Sequence, residues 1–200
     1  MRTQKSNSIK VVKTAMLVFT VLFITACGGN RENTADETGT SSDSKTSVKP
    51  PDIDIHTATF LGDLDAIHQH IKAGSNLDEG EPTLGSSPLI SAAVFGKTEV
   101  ARALIEAGAD VNLKNIEGST ALHSAAFLCR IEIVGMLLDN GADKTLKNNY
   151  GNTALESVAG PFSDVKFIYD QFSKDLGPLG FKLDYEQLET TRPKIAEMLR

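Results

Sequence analysis

Cysteine is almost missing from this chain: there are two in 200 residues, Cys27 and Cys129. Only one of them lies beyond residue 51, so no disulfide can form inside that stretch, and whatever folds there is held by packing. The four histidines fit no metal spacing. There is no H-E-x-x-H and no C-x-x-C, and His68 and His70, two apart on a helical pattern, point in different directions. No glycine-rich phosphate loop follows a strand pattern, and no Ser, His and acid share a nucleophile context. Asp139-Asn140-Gly141-Ala142-Asp143 begins like a calcium loop but lacks the Gly at its sixth position and the Glu at its twelfth. These absences argue against an enzyme, a small-molecule substrate, a metal and any other cofactor. Lys and Arg form no run and the net charge is −6, so nucleic acid is not an expected partner: an acidic surface repels phosphate backbones. The apolar run Ala15 to Ile24 is too short for a comfortable transmembrane helix.

What is present is repetition. Aligned on Ile55, Leu89 and Leu122, three segments say nearly the same thing, each ending in a Gly-x-Asx stretch at Gly74, Gly108 and Gly141. The anchors lie 34 and 33 residues apart, and a fourth start, Gly151-Asn152-Thr153-Ala154-Leu155, falls another 33 on. A fixed period of this size means stacked units that cannot bury their apolar faces alone. Val100, Leu104 and Ile105, and likewise Ile133, Leu137 and Leu138, recur at i, i+4 and i+5, one apolar face of a helix. The Ala92-Ala93 and Ala125-Ala126 pairs let neighbouring helices approach closely. Gly74, Gly108 and Gly141 stop the second helices, where a left-handed residue is needed.

The period and its residues, among them Ser87-Pro88-Leu89, Gly118-Ser119-Thr120-Ala121-Leu122-His123 and Ala107-Gly108-Ala109-Asp110, resemble the ankyrin repeat over residues 54 to about 159. The resemblance implies an all-α solenoid of helix-turn-helix units joined by β-hairpin-like loops, here followed by a helical C-terminal segment. It also implies that His56 and His123, on the repeat's own His position, hydrogen-bond neighbouring hairpins. Repeats fall near 52–84, 85–117, 118–150 and 151–200. The first copy lacks the Thr-Pro start and carries Thr59, His68 and His70 where other copies are apolar or small, as an N-terminal cap would.

The first 27 residues follow a different logic. Arg2, Lys5, Lys10 and Lys13 precede the apolar run, which suits a secretory signal and ends in Ile24-Thr25-Ala26-Cys27. That ending resembles the bacterial lipobox, which implies that Cys27 is acylated and becomes the mature N-terminus. Acylation implies stable attachment to the membrane of a bacterial envelope without a spanning helix. Gly28, rather than Asp, after the cysteine favours by the same resemblance the outer membrane, facing the periplasm, where the host has two membranes. Removal of 1–27 leaves 16 Lys and Arg against 26 Asp and Glu, a net charge of −10. Residues 28–51, rich in Gly, Ser, Thr, Asn and Asp, read as a disordered tether. As a flexible coil it would hold the 52–200 domain some ~25 to 30 Å from the membrane.

Past Gly160-Pro161 the pattern departs from the period. Asp164 to Leu176 reads as a helix with Val165, Ile168, Tyr169 and Phe172 on one face, broken by Gly177-Pro178-Leu179-Gly180. A last helix is expected with Thr191 as N-cap and Pro193 in its first turn, and Ile195, Met198 and Leu199 apolar. Either residues 161–191 are an insertion within the fourth repeat, the preferred reading, or Asp164 to Leu176 is that repeat's second helix and the remainder a cap.

In ankyrin arrays the hairpin tips and the ends of the first helices line a concave face. The two positions after the Ala-Ala pair, usually variable, are apolar in all three copies: Phe60-Leu61, Val94-Phe95 and Phe127-Leu128. Stacking aligns them into a stripe that either meets a protein partner, is covered by this chain's own C-terminal segment or is partly packed between repeats. Ile116, Glu117, Ser119, Tyr150 and Asn152 at the hairpin tips are further candidates. The expected function is a membrane-anchored module docking a protein partner. The alternative is an envelope stress or redox accessory protein in which Cys129, standing where Gly62 and Gly96 stand in earlier copies, is chemically active.

Overall fold

The structure, a computed structural model, describes residues 49–200; the leader, Cys27 and the tether as far as residue 48 lie outside the described residues. Polar side chains set where the helices start. Asp54 caps α1 (Ile55–Leu61), Asp63 caps α2 (Leu64–Ala73) and Ser87 caps α3 (Pro88–Phe95), each accepting from a free amide of the first turn. Thr120 and Thr153 form capping boxes with His123 and Glu156 at α5 (Ala121–Phe127) and α7 (Ala154–Val158). Second helices α4 (Thr98–Glu106) and α6 (Ile131–Asp139) follow α3 and α5 after a tight turn. Two further helices, α8 (Phe162–Leu176) and α9 (Tyr185–Leu199), complete an all-helical arrangement among the described residues. Their link is the short 3-10 turn Gly177–Leu179.

The helices stack in two layers. First helices α1, α3, α5 and α7 pack in series, each paired with the second helix of its unit. Ala92, Ala93, Ala125 and Ala126 are all fully buried in the first layer, where any larger side chain would wedge adjacent units apart. Ile67, Val100, Leu104, Ile133 and Leu137 fill the space behind them. The second layer runs α2, α4, α6 and then α9, which packs along both α6 and α7.

Hairpin loops are tied by a repeated side-chain device. The Asn115 amide oxygen accepts from the Glu117 and Ser119 amides, and Asn148 does the same for Tyr150 and Asn152, so each Asn closes its own hairpin. In the first loop Glu81 takes this place, bonding Thr83 and Leu84 at 2.6 Å each. Neighbouring loops are then linked by main chain: the Ile116 amide donates to the Leu84 carbonyl and the Asn149 amide to the Glu117 carbonyl, both at 2.9 Å.

Three local expectations are corrected. The last helix begins six residues before Thr191, because Asp184 caps it through the Gln187 amide at 3.0 Å; Thr191 is buried in its middle and Pro193 lies in its interior on the exposed side. Leu188, Arg192, Ile195 and Leu199 form a single inward stripe from that cap to the end, and the proline interrupts a backbone bond without stopping the helix. Thr59 and His70 do not mark a solvated cap face. Thr59 is fully buried in the slot of Ala93 and Ala126, while His70 is buried and spans Ser75 Oγ at 3.0 Å and the Ile53 carbonyl at 2.9 Å. Only His68 of the three is exposed. His123 behaves as the repeat implies, its Nε2 lying 3.0 Å from the Asn152 carbonyl in the next hairpin. His56 does not: both of its ring nitrogens are buried without a partner, since Asp54 replaces Thr at its cap and satisfies the backbone instead.

The buried Thr59 hydroxyl has no hydrogen-bond partner, a cost of about 1–3 kcal/mol that exceeds the worth of its methyl group. Thr59→Ala should therefore raise stability by about 1 kcal/mol, read as an increased urea midpoint at unchanged m-value.

Candidate functional site

The apolar stripe is only partly a surface. Phe60 and Phe95 meet edge to face with ring centroids 4.9 Å apart, and Phe95 meets Phe181 at 6.1 Å. Phe127 stacks on Tyr169 at 4.6 Å and approaches Phe172 at 6.0 Å. Aromatic side chains of residues 162–181 thus lie over the stripe, because ring-on-ring contact buries more apolar area than either surface would lose to water separately. Leu128, offered by the sequence as a contact residue, is 2 % exposed and presents no surface. Val94, Phe95 and Phe127 are half-buried against the core. Leu61 is 59 % exposed and, with Phe60, forms the open end of the stripe.

The hairpin tips divide similarly. Ile116 is 61 % exposed, while Glu117 and Tyr150 occupy each other: the Tyr150 hydroxyl donates to the Glu117 carboxylate at 3.2 Å. Burial and that neighbouring carboxylate push the phenol up to about 12, so it stays a neutral donor.

One buried node holds the covering segment down. Arg192 is 3 % exposed, and among the described residues it has no carboxylate partner. Its guanidinium instead donates to the Tyr169 hydroxyl at 2.8 Å and to the carbonyls of Gly160 and Ser157 at 3.2 and 3.3 Å. Tyr169 in turn donates to the Phe127 carbonyl at 2.5 Å. One tyrosine therefore ties α8 to α9 and to the end of α5.

Cys129 sits beside this node with φ of 58°, the same left-handed conformation that Gly62 and Gly96 adopt in the earlier units. Its thiol is buried and faces the Leu188 carbonyl at 3.6 Å and the Phe127 carbonyl at 3.9 Å. Burial pushes it up to about 11, outweighing the nearby Arg192 and Arg130 charges. That is the environment of an inert thiol, the opposite of an activated one.

Where the stripe stays open, a cleft of about 390 Å³ lies between the ends of α1 and α3 and the loop after α8. Phe60, Leu61, Phe95 and Phe181 supply its apolar wall, with Leu179, 41 % exposed, at its rim. Its charged lining is Lys97, Arg130 and Lys182, with no carboxylate. Lys97 and Arg130 occupy equivalent places before the second helices and reach back across the stack, Lys97 to the Leu61 carbonyl at 3.2 Å and Arg130 to the Val94 carbonyl at 3.3 Å. Arg130 can lie there because position 96 is glycine: a Cβ would come within 2.9 Å of the guanidinium. The guanidinium also stands 5.9 Å from the centre of the Phe181 ring. Among the described residues the ion pairs join Lys49 to Asp52, Arg102 to Glu99, Lys166 to Asp170 and Arg200 to Glu197, so the three cleft cations carry no counter-charge. Burial holds Arg130 below its ordinary value, and its Nε is buried without an acceptor. Sequence reasoning missed these cations because residues 97, 130 and 182 are far apart in the chain. No group of three or more His, Cys, Asp or Glu among the described residues could hold a metal, and no described helix is long and apolar enough to cross a membrane.

The family model for ankyrin repeats matches residues 55–148 in three copies. Similar curated proteins include the DNA-binding protein RFXANK of Homo sapiens, 38 % identical over 61 residues that make up 30 % of this chain and 24 % of that protein. Inversin of Canis lupus familiaris is 38 % identical over 58 residues, 29 % of this chain and 5 % of its own length. The chain thus spans a quarter or less of these relatives. Among solved structures, the ankyrin repeat domain of Bcl-3 is similar at 31 % identity with a TM-score of 0.50, covering 52 % of this chain and 45 % of that one. The described fold is an all-α ankyrin-repeat solenoid, an architecture that serves as a protein–protein interaction module.

Two outcomes follow from the buried node and its neighbour. Tyr169→Phe removes the hydroxyl that bridges Arg192 and the Phe127 carbonyl, and should cost about 2 kcal/mol while accelerating proteolytic cleavage within 160–184. For Cys129 the folded state holds its proton more tightly than the unfolded chain does. The stability this gives is complete below the ordinary value of 9.0 and is lost as pH rises toward about 11. The loss amounts to on the order of 2–3 kcal/mol, and urea titrations of wild type against Cys129→Ala should isolate it as a difference in slope over that window.

Proposed function

We propose that this chain is a lipid-anchored interaction module of a bacterial cell envelope, held by acylated Cys27 and docking a protein partner through the open end of its apolar stripe. The observation that carries the docking face is the contrast along the stripe. Phe127 is covered by the chain's own α8 and Leu128 is buried in the core, whereas Leu61 and Leu179 stand exposed around a cleft lined by three cations with no ion pair among the described residues. Exposed apolar side chains beside polar rims mark interaction sites, and aromatic walls such as Phe60 and Phe95 make good anchors. Residues 161–184 then act as an insertion in a fourth repeat whose second helix is α9, and the insertion narrows the docking face to the first two units. The exposed hairpin tip at Ile116 extends that face. The DNA binding in one relative's name does not transfer, since an acidic chain has no basic run to follow a phosphate backbone.

A redox role for Cys129 finds no support in a thiol that is buried and pushed up by that burial. Anchoring is carried by the Arg/Lys leader, the apolar run and the Ile24-Thr25-Ala26-Cys27 ending. Cys27→Ser should move the protein from the membrane to the soluble fraction and abolish fatty-acid labelling. Leu61→Ser with Leu179→Ser, both at exposed positions, should abolish crosslinked capture of a partner from envelope extracts while leaving the melting temperature within a degree or two. Capture undiminished in that double variant would move the docking face elsewhere.

A further inference from the structure

The cleft between Phe60, Phe95 and Phe181 has two properties that rarely coexist without a ligand to match both. Its wall is aromatic and aliphatic, and its charged groups, Lys97, Arg130 and Lys182, are all of one sign in a chain where acids outnumber bases by 26 to 20. A wholly apolar occupant would strip water from three cations and supply no counter-charge, which is unfavourable. A small inorganic anion would answer the charge but leave the aromatic wall in water. An amphipathic anion satisfies both halves at once.

We propose, building on the docking reading above, that this cleft receives an acidic peptide segment of the partner, with one aromatic or branched apolar side chain flanked by carboxylates. The volume of about 390 Å³ lies at the low end of the roughly 300–1,000 Å³ typical of ligand sites, enough for a single bulky side chain and no longer insert. That side chain meets the aromatic wall that Phe60 and Phe95 form with Phe181. The flanking carboxylates meet Lys182 at the exposed rim and the half-buried Arg130 guanidinium at the back. Lys97 and Arg130 are half-buried whereas Lys182 is exposed, so a flat bilayer of anionic lipid would touch Lys182 well and the other two poorly. A peptide chain, narrower than a headgroup array, reaches all three. The concentration of positive charge on an otherwise acidic molecule would steer such a segment to this end of the solenoid.

The test uses the purified domain-bearing chain and a fluorescent, end-capped nonapeptide with a central Phe and two Glu on each side. Binding is compared with a peptide in which the four Glu are Gln, and with one in which Phe is Ser. The proposal expects each change to weaken binding by about tenfold or more, Lys182→Gln and Leu61→Ser to do likewise, and affinity to fall several-fold between about 50 and about 300 mM salt. Arg130→Met serves as a further variant, with its fold checked by circular dichroism because its guanidinium also ties the Val94 carbonyl. Lys182 and Leu61 are exposed, so their variants report on the cleft even if that one unfolds. Equal binding of the Gln peptide, or Lys182→Gln without effect, overturns the proposal. So does association with phosphatidylglycerol vesicles that depends on Lys182 and is not displaced by the Glu peptide. Leu61-dependent capture of an envelope partner by a protein that ignores the Glu peptide would overturn this chemistry and leave the docking reading intact.

Discussion

Close approach of the first helices is the constraint on which everything else in this solenoid depends. It is set by Ala92, Ala93, Ala125 and Ala126, all without solvent contact, and the hairpin links at 2.9 Å exist only because the units come that near. The same spacing aligns Phe60, Phe95 and Phe127 into a row, so the apolar stripe is a by-product of the packing rule and not a separate feature. Thr59, at the equivalent position of the first unit, shows how strict the rule is: a hydroxyl is tolerated there without a hydrogen-bond partner.

How much of that row faces water is decided by the segment between α7 and α9. Tyr169, Phe172 and Phe181 close over Phe127 and approach Phe95, and the buried Arg192 fastens the cover by donating to the Tyr169 hydroxyl and two carbonyls. A cation buried without a carboxylate is a costly element, and its hydrogen bonds to oxygen dipoles are what make it tolerable. The cover therefore combines hydrophobic burial, which is not directional, with one directional node that fixes its register. At the other end only Phe181 and its neighbours approach the row among the described residues, and the residual surface is where the docking and peptide-binding proposals converge.

The cations at that end have a structural task as well as the proposed one. Lys97 and Arg130 each brace a carbonyl of the preceding unit across the glycine that ends its first helix. In the third unit the equivalent left-handed position is Cys129, whose thiol faces the Leu188 carbonyl of α9 with Arg192 of the same helix nearby. The pattern of basic residues over glycines stops where the C-terminal segment begins, so cleft and cover are complementary parts of one surface.

The repeat was legible in one dimension: the caps at Ser87 and Thr120 and the glycine stops act within a few residues of themselves, and the alanine pairs, which act between units, recur at the same 33- to 34-residue spacing. The inward face of α8 was legible in part: Val165, Tyr169 and Phe172 of the expected four pack on the core, and Ile168 does not join them. The start of α9 was not read correctly, because Pro193 carries a strong local signal for a helix start that long-range burial of Leu188, Thr191 and Arg192 overrides. Nor was the fate of the stripe readable: Leu128 and Leu61 occupy the same repeat position, yet one is 2 % and the other 59 % exposed. Only the tertiary structure could decide which apolar residues remain exposed and bring residues 97, 130 and 182 to one cleft, since both depend on contacts between segments tens of residues apart that no local propensity encodes.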